Sequence, residues 1–261
     1  MHHHRRPCRC LLLLLLGLAI APGRARAAEG DLQWAQQLFS TAGTLPTAMT
    51  TDPAGNVLFA GRLYAPGTFQ PGGIAVPITN ANQGQALLIA KFSPTGDFLW
   101  LRSALGFTRM TARSLTTDAD GNLIVTGVFR GTADMDPGDG VTLINSGGVD
   151  QIFAAKYSAD GSFQWVRTWS AATAYAAIDA AGDVLVCGHF TKAVLVPGGP
   201  ELQATGTHDV FALKLAPSGA PLWSRVLASE NNDEAAGIDT DPAGNVYLLG
   251  TAGSVSMPAA S

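Results

Sequence analysis

Charge is scarce in this 261-residue chain: 14% of the residues are Asp, Glu, Lys or Arg, while 30 Gly and 15 Pro punctuate it throughout. A coiled coil needs far more charge and far less glycine, so that class is excluded. Disorder is excluded from the other side, because 47% of the residues are hydrophobic. Helical periodicity is missing, since Gly or Pro breaks every window long enough to show it. Catalytic signatures are missing as well: there is no G-x-S-x-G elbow, no H-E-x-x-H and no Walker loop. Cysteine is nearly absent, at three residues, and Cys8 and Cys10 both fall within the first ten positions.

Those first positions read as a secretory signal spanning residues 1–27. Arg5, Arg6 and Arg9 form a positive n-region, Leu11 to Ile20 an apolar run, and Ala25-Arg26-Ala27 an A-x-A cleavage site. The run is too short to span a bilayer as a helix, which needs ~20 apolar residues. Export to the periplasm, cell surface or medium is the expected localisation. The signal holds five of the 16 basic residues and none of the 20 acidic ones, leaving 11 against 20, a formal −9. A nucleic acid or an anionic membrane requires a basic surface, so neither is an expected partner. Residues 28–261 contain no further run long enough to cross a membrane. They keep only Cys187, so no intramolecular disulfide can form.

What is present is repetition. DPAGNVLFAG (Asp52 to Gly61) returns as DADGNLIVTG (Asp118 to Gly127), DAAGDVLVCG (Asp179 to Gly188) and DPAGNVYLLG (Asp241 to Gly250), with the Asp residues 66, 61 and 62 apart. A second motif keeps step: LLIAKFSPTGDFLW (Leu87 to Trp100), IFAAKYSADGSFQW (Ile152 to Trp165) and VFALKLAPSGAPLW (Val210 to Trp223). A half copy, GDLQW, ends at Trp34. Between the two lies a weaker Pro-Gly motif, ending at Gly73, Gly140 and Gly199.

Each unit reads as four strands. Strand a precedes the Asp, and an Asp-x-x-Gly turn follows, in which Asp bonds the turn backbone and Gly accepts positive φ. Strand b is the apolar run after it. Strand c ends in Lys91, Lys156 or Lys214, and strand d carries the Trp. Strands b and c are nearly continuous apolar runs and should be buried on both faces. Four-stranded units stacked through apolar faces describe an all-β fold, a β-propeller of antiparallel blades. The predicted organisation over residues 28–261 is a first strand d at 31–39, blades at 45–105, 111–168 and 173–227, and a partial blade at 235–261.

The Asp-x-x-Gly-Asn-apolar-Gly motif, followed by apolar-Ala-Lys and Gly-x-x-x-Trp, resembles the bacterial seven-bladed β-propeller (SBBP) repeat family. Gly127 to Trp165 resembles it most closely, and the resemblance extends from Gly30 to Pro258. It implies blades and secreted or surface-borne proteins, and no catalytic residue. Seven blades of this length need roughly 430 residues, so the reading is three complete blades and a partial one, a piece of a larger ring with an open, association-prone edge.

Few residues invite chemistry. Asp134, Asp136 and Asp139 place three carboxylates within six residues and could offer oxygens to Ca²⁺, although a solvated acidic turn explains them as well. Asp118 and Asp120 also look ligand-like, but only the leading Asp and the Gly recur, which fits turn geometry. The recurrent lysines could line an anion-binding pore, or pair with the Asp of the a–b turn. Trp34, Trp100, Trp165 and Trp223 read as core aromatics between blades, and Trp169, outside that register, as the freer candidate for surface contact. Cys187 reads as buried and inert. His189 and the His208-Asp209 pair are the only acid–base material. The expected function is a non-enzymatic scaffold that binds a protein or glycan and needs no cofactor. The alternatives are a periplasmic quinoprotein-type enzyme, whose blades share the Gly-x-x-x-Trp strand, and a Ca²⁺-dependent adhesin.

Overall fold

A computed structural model describes residues 34–253 apart from 36–38, 41–42, 65–66, 72–73, 79–83, 107, 197–198 and 230. The signal at 1–27 lies outside the described residues. Among the described residues there is no α-helix, and none long and apolar enough to cross a membrane.

The chain alternates short strands with glycine turns, and the strands fall into repeating sets. After β1 (Phe39–Ser40), unit 1 holds β2 (Thr44–Thr51), β3 (Val57–Tyr64), β4 (Gly67–Gln70), β5 (Val76–Ile78), β6 (Gln85–Phe92) and β7 (Phe98–Gly106). Unit 2 holds β8 (Arg109–Thr117), β9 (Leu123–Arg130), β10 (Thr132–Asp134), β11 (Leu143–Asn145), β12 (Gln151–Tyr157) and β13 (Phe163–Trp169). Unit 3 holds β14 (Tyr175–Ile178), β15 (Val184–Phe190), β16 (Ala193–Leu195), β17 (Glu201–Gln203), β18 (Asp209–Leu215) and β19 (Pro221–Leu227). Unit 4 contributes β20 (Glu234–Thr240) and β21 (Val246–Thr251). In units 1 to 3 the strands a, b, c and d lie in sequence order as one antiparallel sheet. Strand a of each unit packs on strand a of the next: β2 on β8, β8 on β14 and β14 on β20. These sheets, stacked face to face with their first strands together, are propeller blades.

Each complete unit has two strands more than the four read from the sequence. The connection from b to c folds into a hairpin, β4–β5, β10–β11 or β16–β17, and in unit 2 Pro137 and Gly138 of the Pro-Gly motif lie in its loop. Strands of three or four residues are too short to show an alternating pattern. The hairpin also explains the repeat length, about 20 residues beyond the ~40–45 of a simple four-stranded blade. The hairpin can join the sheet of the preceding unit. β10 pairs with β7 (Ala133 opposite Gly106), extending unit 1 to six strands. β1 takes the same place against β4 that β7 takes against β10.

The apolar runs of b and c fill the seams between units. Leu58, Ala60, Leu87 and Ile89 of unit 1 meet Leu123, Val125, Phe129 and Phe153 of unit 2. Ile124, Val128, Ile152 and Ala154 of unit 2 meet Val184, Val186, Phe211 and Leu213 of unit 3. Both faces of strands b and c are thus buried in units 1 to 3. The glycine that closes strand b has a specific cause. Strand a bulges beside it, at Ala112/Ser114 in unit 2, and brings its backbone close. A Cβ on Gly127 would stand 2.2 Å from the Thr111 carbonyl oxygen, a distance no side chain tolerates.

Candidate functional site

The a–b turn is built by its first residue. The Asp118 N–H donates to the Asn122 carbonyl, and Gly121 takes φ +79° to close the loop. Asp118 Oδ1 accepts the backbone N–H of Asn122 at 2.8 Å, and Oδ2 accepts the Asn122 amide at 2.9 Å. Asp52 and Asp241 repeat both bonds with Asn56 and Asn245. Asp179 repeats the first with Asp183. The turn reading of Asp118 is correct, and Asp120 contributes only its N–H to that carboxylate.

The same carboxylate meets the lysine of strand c. Lys91 Nζ lies 2.8 Å from Asp52, Lys156 Nζ 3.1 Å from Asp118, and Lys214 Nζ 2.7 Å from Asp179 and 3.1 Å from Asp183. Lys91 and Lys156 are buried, so these lysines do not line an anion-binding pore. Lys91 also donates to the Ala159 carbonyl of unit 2, tying two units together. Burial opposes ionisation of Asp118. The Asn122 side-chain and backbone donors and the Lys156 ammonium outweigh it and hold the carboxyl below its ordinary value. Asp52 and Asp179 are shifted in the same direction, for the same kind of reason. A carboxyl with a depressed folded-state pKa stabilises the fold above its unfolded value, about 3.9, and that stability is lost as pH falls through the folded value. The melting temperature is therefore expected to hold from neutral pH down to about pH 5 and then drop steeply below about pH 4. A flat profile down to pH 3 by circular dichroism would contradict the role given to the three turns.

The tryptophans of strand d stand opposite these lysines in the sheet, Trp100 opposite Lys91, Trp165 opposite Lys156 and Trp223 opposite Lys214. Trp165 is buried, and its Nε1 donates to the Pro217 carbonyl in the c–d turn of unit 3 at 2.9 Å. Trp34 donates likewise to Pro94 at 3.1 Å. Gly96 and Gly219 lie directly against these indoles, where a Cβ would approach within 3 Å. Two residues after each complete-unit Trp stands an arginine with a role the sequence reading missed. Arg102, Arg167 and Arg225 stack over Trp100, Trp165 and Trp223 at 5.4, 5.7 and 5.9 Å. Arg102 and Arg167 then donate to the next unit's turn, at Asp160 and Gly219. The Trp-x-Arg spacing, present three times, was the available signal. Each Trp–Arg pair of units 1 and 2 clamps a glycine turn of the following blade.

Trp169 departs from expectation. It is 2% exposed and packs with Val194, Val196 and Leu202. The b–c hairpin of unit 3, invisible in the sequence pattern, covers it. Trp169 is thus core, with no surface role.

The three candidate calcium ligands lie on the β10–β11 loop. Asp134 Oδ1 accepts the N–H of Asp136 at 3.2 Å and of Thr142 at 2.8 Å. Asp136 Oδ1 accepts the Gly138 N–H at 2.8 Å, and Asp139 is exposed at the tip. Two of the carboxylates are engaged in folding their own loop. Among the described residues, no group of three His, Cys, Asp or Glu side chains converges on a point that could hold a metal ion.

Cys187 is fully buried, and burial pushes its thiol up to about 12, far from the thiolate a nucleophile needs. His189 and His208 meet edge to face, 5.7 Å between ring centres. Their Nδ1 atoms lie 3.1 Å from Thr173 Oγ1 and 3.3 Å from Asn232 Oδ1. Burial lowers the pKa of His189, Glu234 pulls it up and His208 presses it down, leaving it below its ordinary value. Asp209 is buried and accepts the Thr205 and Gly206 N–H groups through Oδ2.

No family model matches the chain. A curated relative is an uncharacterized WD repeat-containing protein, L264, of Acanthamoeba polyphaga mimivirus, 27% identical over 196 residues. The match covers 63% of this chain and 14% of the relative, so the chain spans a small part of the length of the curated protein it matches. Together with the stacked four-stranded sheets, this similarity supports a β-propeller-type repeat, a fold suited to protein-interaction scaffolds.

Proposed function

We propose that this protein is an exported, non-enzymatic scaffold that binds a protein or glycan through the tips of its b–c hairpins. One observation carries the reading. The polar and aromatic side chains that recur in every unit hold turns and seams together, whereas the hairpin tips differ between units and expose apolar residues. Ile74, Val141 and Leu195 are 55%, 72% and 65% exposed, one to each complete unit. Exposed apolar residues on a rigid β scaffold are the material of recognition. The WD-repeat name of the mimiviral relative supports the scaffold part. The resemblance to the SBBP repeat family, with the signal at residues 1–27, supports export.

The test replaces Ile74, Val141 and Leu195 together by serine and compares partner capture from the native surface, by cross-linking and by glycan array. Loss of capture at an unchanged melting temperature is expected. Full retention of the partner by the triple variant would reject the hairpin tips as the site. Mass spectrometry of protein from its native host should show cleavage next to Ala27 or Ala28, and an N-terminus at Met1 would reject export. Ca²⁺ binding by Asp134, Asp136 and Asp139 is a separate proposal, supported by their three clustered carboxylates and checked by melting in Ca²⁺ against chelator.

A further inference from the structure

The junction between units 3 and 4 buries two carboxylates with no cationic side chain beside them. Asp209, the first residue of β18, is 0% exposed, and Asp233, just ahead of β20, is 3% exposed. Among the described residues every ion pair lies elsewhere. A buried carboxylate is costly unless it is paired or coordinates a metal. The blade itself does not ask for these charges. Five residues before the lysine of strand c, units 1 and 2 place Ala86 and Gln151 where unit 3 places Asp209. Eight residues before the turn Asp, they place Thr44 and Met110 where unit 4 places Asp233.

The two oxygens of Asp209 have different surroundings. Oδ2 folds its own loop, accepting the N–H groups of Thr205 and Gly206 and the Thr205 hydroxyl. Oδ1 is buried and accepts no hydrogen bond. It faces Gly206 together with two main-chain oxygens from the entry to unit 4. A Cβ on Gly206 would stand 3.2 Å from Asp209 Oδ1, 2.7 Å from the Ser229 carbonyl oxygen and 2.5 Å from the Asn231 carbonyl oxygen. Three oxygens thus converge beside one glycine, whose Cα–H is too weak a donor to compensate a buried carboxylate. Asp233 fastens the same segment: its Oδ1 accepts the Ser229 hydroxyl at 2.8 Å, and its N–H donates to the His208 carbonyl at 2.8 Å.

We propose that this junction is a Ca²⁺ site. Asp209 Oδ1 and the Ser229 and Asn231 carbonyls are its protein ligands, water completes the shell, and Asp233 supplies a second negative charge on the same segment. Ca²⁺ takes carboxylate, carbonyl and water oxygens together in a flexible shell at roughly 2.3–2.6 Å. Main-chain oxygens make up most of the set, so no three acidic side chains need converge. Bound there, the ion ties the start of strand c in unit 3 to the start of strand a in unit 4. The site is separate from the Asp134–Asp139 loop and from the hairpin tips, and neither reading depends on the other.

The test titrates CaCl₂ into the whole chain after chelation, by calorimetry and by thermal melting. One Ca²⁺ lost on Asp209 substitution, a raised melting temperature, and slowed hydrogen exchange at Thr205 to Asp209 and Asn231 to Asp233 are expected. Asp209→Asn should weaken that binding at least about tenfold. It puts an amide donor where Oδ1 faces the two carbonyls, so in chelator it should melt no lower than the parent. Asp134→Asn should leave this ion bound. Hydrogen exchange on the parent protein needs no variant and keeps the test valid should Asp209→Asn disturb folding. Absence of Ca²⁺ binding, equal binding by Asp209→Asn, or slowed exchange confined to the Asp134–Asp139 loop would each overturn the proposal.

Discussion

Trp165→Ala is expected to destabilise the chain by about 3–5 kcal/mol, the range for removing a buried aromatic side chain. The indole is 8% exposed and packs among Ile124, Ile152, Val184 and Val186 at the seam of units 2 and 3. Its Nε1 bond to Pro217 and the Arg167 guanidinium stacked on it are lost in the same substitution. Gly219 at φ +78° lies against the ring, so the turn of unit 3 has no side chain to fill the gap. Trp165→Phe keeps most of the burial and loses the hydrogen bond, and should cost less. Urea unfolding of the three proteins measures the order. A Trp165→Ala variant that melts like the parent would remove the clamp from its structural role.

The second large effect is expected at Asp118. Asp118→Ala leaves the Lys156 ammonium buried without its counter-charge, a situation that costs about 3–5 kcal/mol. It also strips the Asn122 N–H and amide of their acceptor. The double variant Asp118→Ala, Lys156→Met should recover a good part of the loss, because a packed apolar pair replaces an orphaned charge. A double-mutant cycle by thermal melting reads the coupling directly. Asp241→Ala makes the contrast: that residue is partly exposed and pairs with no lysine among the described residues, so its loss should be far smaller. Equal losses at Asp118 and Asp241 would show that the turn bonds alone matter and the buried ion pair does not.

Much of this architecture was legible in the chain because it is local or periodic. Asp52, Asp118, Asp179 and Asp241 bond a backbone N–H four residues on, so the turn needs nothing from the rest of the molecule. The apolar runs of strands b and c announce burial on both faces, and the spacing of 66, 61 and 62 residues announces stacked units. The pairing of Lys91, Lys156 and Lys214 with those Asp residues was one of two readings, and proximity of b and c in the sheet chose between them. The candidate site was less legible. Nothing local distinguishes Ile74, Val141 and Leu195 from core residues, since their exposure depends on where each hairpin tip ends up.

By itself, then, the sequence determined the repeat, the turns, the strand faces and the all-β class, because each rests on contacts within a few residues or on a period along one strand. The tertiary structure decided the rest. It placed the β10–β11 hairpin on the sheet of the preceding unit, buried Trp169 under the hairpin of unit 3, and set Arg102 and Arg167 on the turns of their neighbours. It turned Asp134 and Asp136 toward their own loop backbone. Apart from these loop bonds, each outcome is a contact between residues tens of positions apart, and the loop bonds depend on the path of a hairpin too short to show in the pattern. The physical reason is that a side chain's burial and partners are set by the neighbouring blade, which no window along one strand contains.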